Sequence, residues 1–181
     1  MALTREQVVD AAVGVLADFG LADLSMRRLA RELNVQVGAL YWHVKNKQEL
    51  LVDVAARLLG GIERLPDGAT APREAVAALA TAIRTALAPV PDSAEVVQLA
   101  QTMQPAALEP LTWLRELLEE AGVTPQHSAW ARHLLLNHIL GSVAAQQDRS
   151  RLEAAGEAGG PDLGADAFAW GLGTILDGLG I

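Results

Sequence analysis

The sequence contains no cysteine. Disulfide frameworks, thiolate metal sites and cysteine nucleophiles are excluded at once, and the composition fits a reducing compartment without requiring one. Aromatic residues are few, with two Phe, one Tyr and four Trp, which disfavours a fold built on aromatic and β-branched strand pairs. No strand alternation and no fixed-period repeat is present. The longest apolar stretch, 134–145, is interrupted by Asn137 and His138 and is too short to cross a bilayer. No basic segment followed by an apolar core opens the chain, so no secretory signal is expected and the reading is soluble and cytoplasmic. Nucleotide-binding glycine loops, a Gly-x-Ser-x-Gly elbow and a His-Glu-x-x-His pair are all missing. Glu119 and Glu120 are adjacent, but neighbouring helical carboxylates point about 100° apart and usually face solvent. No enzyme is expected.

Positive charge is also in short supply. The net charge is −8, which by itself argues against a nucleic-acid partner. Its distribution reverses that impression. From Ser25 to Lys47 the basic residues Arg27, Arg28, Arg31, Lys45 and Lys47 face one acid, Glu32. That stretch therefore carries +4 and the remainder −12. A local positive patch on an acidic body is compatible with specific DNA binding, because phosphate attraction acts locally.

What the chain does have is helix. Half of it is hydrophobic (51%), rich in Ala and Leu, and the pattern predicts an all-α fold. So much apolar surface on 181 residues suggests a buried subunit interface. Thr4 and Gln7 form a capping box before Val8, Ala12, Val15 and Phe19, with Gly20 stopping that helix. Ser25 opens a second helix that buries Met26, Leu29, Ala30 and Leu33. After Asn34-Val35 a short third helix runs from about Gln36 to His43. Asn46 and Glu49 form another capping box, opening a fourth helix with Leu50, Leu51, Val54, Leu58 and Leu59.

Further helices are expected over about 73–87, from Asp92 to Pro105 with Asp92 and Glu95 as its cap, and over about 110–122. Another opens at Thr124-Pro125 and runs to about Gln147, and the last covers about 165–179. Residues 66–72 read as a break and 149–164 as the most loop-like stretch. Two domains are expected, 1–62 and 63–181.

The second and third helices have the size and spacing of a helix-turn-helix, whose second helix enters the major groove while the first crosses the backbone. Leu40 and Val44, four apart, can face the small core. Gln36, Val37, Gly38, Ala39, Tyr41 and Trp42 lie on the faces left free, and Ala39 can meet a thymine methyl. Tyr41, Trp42 and His43 offer donors to phosphates. Lys47 adds charge to a helix N-terminus already disposed toward them. Ser25, Met26, Arg27 and Arg28 at the start of the first helix complete the DNA-facing set. Each part has a bland alternative, since an aromatic pair is more often core and Arg27-Arg28 on a helix is usually just solvated.

Residues 4–60 resemble the N-terminal domain of the tetracycline-repressor (TetR) family. The similarity is carried by Leu24-Ser25-Met26-Arg27-Arg28-Leu29-Ala30 and by Gly38-Ala39-Leu40-Tyr41-Trp42-His43-Val44-Lys45-Asn46-Lys47-Gln48-Glu49-Leu50-Leu51. The resemblance implies that Arg27 and the start of the recognition helix touch base edges, and that Tyr41, Trp42, His43 and Lys47 hold phosphates. Val37, Gly38 and Ala39 stand where similar members place polar base readers, so a tetracycline-type operator is not expected. It also implies a C-terminal helical domain that dimerises and encloses an effector pocket, making the protein a homodimeric repressor of a roughly palindromic operator, released by a small, mostly apolar molecule.

The pocket residues expected are Gln98, Gln101, Met103 and Gln104, with Trp113, and Trp130, His133 and Asn137 on one helical face beside His138. Single residues of that set are equally readable as structural. For the interface the expected residues are Leu135, Ile139, Gly141 and Ser142 on one helix. The last helix adds Phe168, Gly171, Leu172, Ile175 and Leu179, its glycines permitting close helix approach. Intrachain packing alone is the alternative. No metal or cofactor is expected, since His133 and His138 point different ways. The magnesium–tetracycline ligand does not carry over, because its ligand residues find no match here. A ligand-binding or scaffold protein that keeps the fold without reading DNA is the remaining rival.

Overall fold

The computed structural model describes residues 3–64, 68, 70–157 and 164–181. Among these all regular structure is helical, and the chain divides into two compact units. The first unit is Met1–Gly61 with Pro89–Leu108, and the second is Ile62–Ala88 with Glu109–Ile181. The expected boundary after residue 62 therefore lies where one unit gives way to the next. The segment 89–108, however, packs with the N-terminal helices rather than with the rest of the second half.

The first unit holds α1 (Arg5–Asp23), α2 (Met26–Glu32), α3 (Val37–Leu40), α4 (Lys47–Leu59) and α6 (Ser93–Met103), with a 3-10 turn at Pro105–Ala107. The capping box at Thr4 and Gln7 forms in both directions. Val8, Ala12, Val15 and Leu16 are buried, but Phe19 is half-exposed, with the Arg28 guanidinium 3.8 Å above its ring. Gly20 interrupts the helix with φ 77 and ψ 178, a conformation open to glycine. At that kink the Leu21 N–H donates to the Asp92 carboxylate at 2.7 Å. Asp92 itself sits at φ 58 before α6, and its side chain makes no helix-cap bond. The cap expected of Asp92 with Glu95 is thus replaced by a tie from the start of α6 to the kink of α1. Helix α4 packs against both α1 and α6.

The second unit holds α5 (Pro72–Leu87), α7 (Glu109–Glu120), α8 (Pro125–Ala154) and α9 (Ala165–Gly178). Pro72 and Pro125 occupy the first helical turn, where a missing N–H costs nothing. Helix α5 packs on α7 and α8, and α9 packs on α8. Gln147 is buried and turns its amide toward the carbonyls of Leu87 and Ala88, the open end of α5.

Helix α8 runs past Gln147 to Ala154, so 149–154 is helical rather than loop. Its residues are good helix formers joined by Arg149–Glu153 (2.8 Å) and Arg151–Asp148 (3.2 Å) pairs. Gly156, at φ 77, is the first residue to break the pattern. Residues 158–163 of the expected loop and 66, 67 and 69 of the expected break lie outside the described residues. No helix among the described residues is long and apolar enough to cross a membrane.

Candidate nucleic-acid interface and effector cavity

The interface is built on two anchors. Leu40 and Val44 are fully buried, four residues apart, and they pin a short element whose other faces stay open. Helix α3 itself is only four residues, Val37–Leu40. The 41–43 segment continues as turns, with the His43 and Val44 N–H groups both donating to the Leu40 carbonyl. It is shorter than the helix expected to reach His43. Tyr41 is 50% exposed and Trp42 88%. An indole so exposed, in a chain with few aromatics, has no packing role within its own fold.

Gln36 and Gly38 are exposed, Val37 and Ala39 half-buried, and His43 and Lys47 half-buried beside them. Ser25 caps α2 by accepting from the Arg28 N–H at 3.2 Å, and Met26 is half-buried. Arg27 is exposed and, with Arg31, Lys45 and Lys47, has no carboxylate at ion-pair distance among the described residues. Arg28 differs, being engaged within the chain by Asp23 at 3.5 Å and by Phe19. Four cations of the patch therefore remain available to an anionic partner.

Beneath this surface lies a residue that the sequence reading did not single out. Arg5 donates through Nε and Nη2 to both oxygens of Asp53 at 3.0 Å, through Nη2 to Glu49 at 2.8 Å and through Nη1 to the His43 carbonyl at 3.1 Å. Hydrogen bonding to Asp53 raises the Arg5 pKa. The second oxygen of Glu49 accepts from the Lys45 N–H at 3.0 Å. That bond, followed by the one from Arg5, holds the Glu49 carboxyl below the ordinary carboxylate range. Only half of the expected capping box at 46–49 therefore forms. Asn46 caps the Glu49 N–H at 2.8 Å, while the Glu49 side chain reaches Lys45 and Arg5 instead.

The second unit contains a cavity of about 200 Å³ between α5 and α7. Ala75, Ala78, Leu79 and Ala82 form one wall, Trp113 and Leu117 the other, and Ile62, Glu63 and Arg64 the mouth. Arg64 is held there by Glu116 at 2.7 Å and Glu120 at 3.8 Å. Of the expected pocket residues only Trp113 lines it. Gln98, Gln101, Met103 and Gln104 belong to the first unit. Trp130, His133 and Asn137 do share a face of α8, but that face is exposed, with Trp130 at 63%. The core takes the opposite face, through Ala131, Leu135, Ile139 and Val143. Among the described residues no group of three metal-ligating side chains converges.

The interface expectations need a similar correction. Leu135, Ile139, Phe168 and Leu172 are buried within the chain's own core. Ser142 accepts from Arg84 at 2.9 Å. Gly171 faces His138, whose ring donates from Nε2 to the Phe168 carbonyl and stacks on Phe168. Ile175 and Leu179 are half-buried and Gly141 is exposed. The large apolar side chains left open are Trp130, Leu134 (49%) and Trp170 (76%).

Residues 8–59 match the family of bacterial regulatory proteins designated tetR, and residues 65–163 match the tetracyclin repressor-like C-terminal domain. The chain belongs to the TetR family. Its members are DNA-binding, ligand-responsive transcriptional regulators. This regulator is 32% identical over 145 residues to an HTH-type transcriptional regulator of Saccharopolyspora erythraea, covering 80% of this chain and 61% of that protein. It is 31% identical over 147 residues to the class G tetracycline repressor of Vibrio anguillarum, covering 80% and 70% respectively. Among solved structures, Mycobacterium smegmatis BioQ superposes with TM-score 0.88 at 37% identity, over 98% of this chain and 97% of that one. BioQ bound to its natural double-stranded DNA operator superposes with TM-score 0.80 at 36% identity, over 98% of each chain.

Proposed function

We propose that this TetR-family regulator is a cytoplasmic repressor without enzymatic activity, which binds a roughly palindromic operator as a homodimer and lets go when a compact, mostly apolar molecule enters the α5–α7 cavity. The observation that carries the DNA-binding part is the exposed Tyr41-Trp42 pair beside four unpaired cations, presented by a segment whose buried anchors are Leu40 and Val44. In this reading Arg27 and Gln36–Ala39 read bases, while Tyr41, Trp42, His43 and Lys47 hold phosphates. Ser25, Met26 and Arg28 adjoin the backbone. The BioQ–operator complex supports the same use of the fold.

A second copy is the occupant that suits the open face of α8 and α9, where Trp130, Leu134 and Trp170 lie exposed in a chain that buries nearly all its other large apolar groups. Two recognition elements about 34 Å apart then read successive major grooves. Residues 1–62 form the DNA-reading domain and 63–181 the sensing and pairing domain. Helix α5 ends where the 89–108 segment begins and α7 starts where it ends, so an effector wedged between α5 and α7 acts on both ends of α6. Helix α6 packs on α4, the helix that follows the recognition element. At about 200 Å³ the cavity is smaller than drug-sized sites of about 300–1,000 Å³, so the effector is compact. Its polar group meets Glu63 and Arg64 at the mouth.

Selection of genomic fragments by the purified protein, followed by mobility shift, tests the reading. Binding of a palindromic site, weakened by Arg27→Ala, is expected; no binding to any fragment sinks it. Ala82→Phe should fill the cavity and abolish effector release while leaving operator binding intact. Trp130→Glu should produce monomers in sedimentation.

A further inference from the structure

A cation in the first turn of a helix opposes the helix dipole, so Arg5 stands where an arginine is least welcome unless something else holds it. What holds it is a set of four hydrogen bonds to residues 38–48 positions away in sequence. Asp53 receives the two-pronged fork that only a guanidinium provides. The remaining donors reach Glu49 and the carbonyl of His43, a group at the end of the recognition segment with few partners of its own.

The turn 43–45 is thereby held from both polarities. Its carbonyl at His43 accepts from Arg5, and its N–H at Lys45 donates to Glu49, the same carboxylate that Arg5 neutralises. This turn joins Tyr41-Trp42-His43 to Lys47. Any rotation of it changes the spacing between the aromatic run and the lysine. The two acids would also stand uncompensated next to Lys45 and Lys47 if Arg5 were absent.

We infer that Arg5 is a positioning residue for operator recognition, clamping the 43–45 turn through His43 and Glu49 so that the phosphate-holding groups on either side keep one register. The inference rests on the proposal that these groups contact DNA. Arg5 touches no base and no phosphate in this role. Its loss lowers operator affinity without altering the number of phosphates neutralised.

The test uses the full-length protein, an operator fragment selected from genomic DNA by the wild type, and an unrelated duplex of equal length. Arg5→Ala should bind the operator about tenfold more weakly, the scale of one to two net hydrogen bonds. It should bind the unrelated duplex as well as the wild type does, with an unchanged dependence on salt. A slope shallower by about 0.9 would instead make Arg5 a phosphate contact itself and overturn the clamp. Unchanged operator affinity would overturn it too.

Because Arg5→Ala opens four hydrogen bonds, Glu49→Gln provides a second variant that keeps shape and fold. It removes a negative charge beside Lys47, so an effect of charge alone strengthens DNA binding, whereas the clamp predicts weaker operator binding. Tighter or equal binding by Glu49→Gln refutes the inference. Failure of the wild type to bind any fragment would instead sink the DNA-binding proposal, and is separately visible in the same experiment.

Discussion

Replacing Gly171 with alanine sets two small effects against each other, and the local packing decides the sign. At an open helical position the change stabilises by about 1 kcal/mol through backbone propensity. Gly171 is not open. A Cβ there would lie 2.4 Å from Cε1 of His138 and 2.9 Å from its Nε2. The ring has to retreat by about an ångström to regain ordinary contact, and it is held in place twice. Its Nε2 lies 3.0 Å from the Phe168 carbonyl. Its plane is 6° from that of the Phe168 ring, with centroids 5.0 Å apart. Losing the hydrogen bond costs about 0.5–1.5 kcal/mol, and losing the stacking about as much again. Against the propensity gain, Gly171→Ala should destabilise by about 1 kcal/mol.

Gly14, exposed in α1 with nothing within 4 Å of a built Cβ, is the control and should gain about 1 kcal/mol as alanine. Urea unfolding followed by circular dichroism, at one protein concentration so that any dimer linkage is constant, reads both. The decisive comparison is the His138→Ala background, where Gly171→Ala should reverse sign and stabilise. Equal destabilisation with and without His138 would refute the reasoning.

Lys47→Ala should weaken binding to every DNA sequence alike and flatten the salt slope by about 0.9, since a phosphate contact carries no sequence information; gel shifts on operator and unrelated duplexes at several salt concentrations check this. Asp92→Ala should cost about 1–3 kcal/mol in urea unfolding, because the Leu21 N–H at the α1 kink loses a charged acceptor, whereas Asp92→Asn, which tolerates the left-handed backbone and keeps an acceptor oxygen, should cost less. The Glu49 carboxyl is held down by the Lys45 N–H and by Arg5, so its folded pKa lies below its unfolded one. Its contribution to stability is therefore fully present above the ordinary carboxylate range and is lost as pH falls through the folded value. Thermal melts at descending pH should show a steeper acid loss for wild type than for Glu49→Gln.

Much of the first unit was legible in the sequence because its signals are local. The caps at Thr4, Ser25 and Asn46 act over three residues, and the Leu40–Val44 pair over four. Those spacings are set by the helix itself. Arg5 was invisible for the opposite reason, since its partners are 38–48 residues away and meet only when α1 and α4 pack. The one hint was its unfavourable place in a first helical turn. Helix α8 misled for a different reason. Leu134, Leu135, Leu136, Ile139 and Leu140 put apolar residues around most of its circumference, so the pattern shows a stripe containing Trp130, His133 and Asn137 without showing which side faces the chain. The alanines of α5 that line the cavity gave no signal at all. A cavity exists where side chains are small, and small side chains carry no chemical mark.

The sequence by itself determined that the chain is helical, that its cations gather between Ser25 and Lys47, and that a short aromatic segment follows a capped helix there. These are properties of neighbouring residues, governed by backbone propensity, capping and charge spacing. Only the tertiary structure decided which side of each long helix is core, which glycine receives a neighbour, and which carboxylates an arginine holds. Those outcomes depend on groups far apart in sequence arriving within hydrogen-bond range. Thus Trp130 faces outward, Gly171 makes room for His138, and the turn after Trp42 is gripped by a residue from the chain's fifth position.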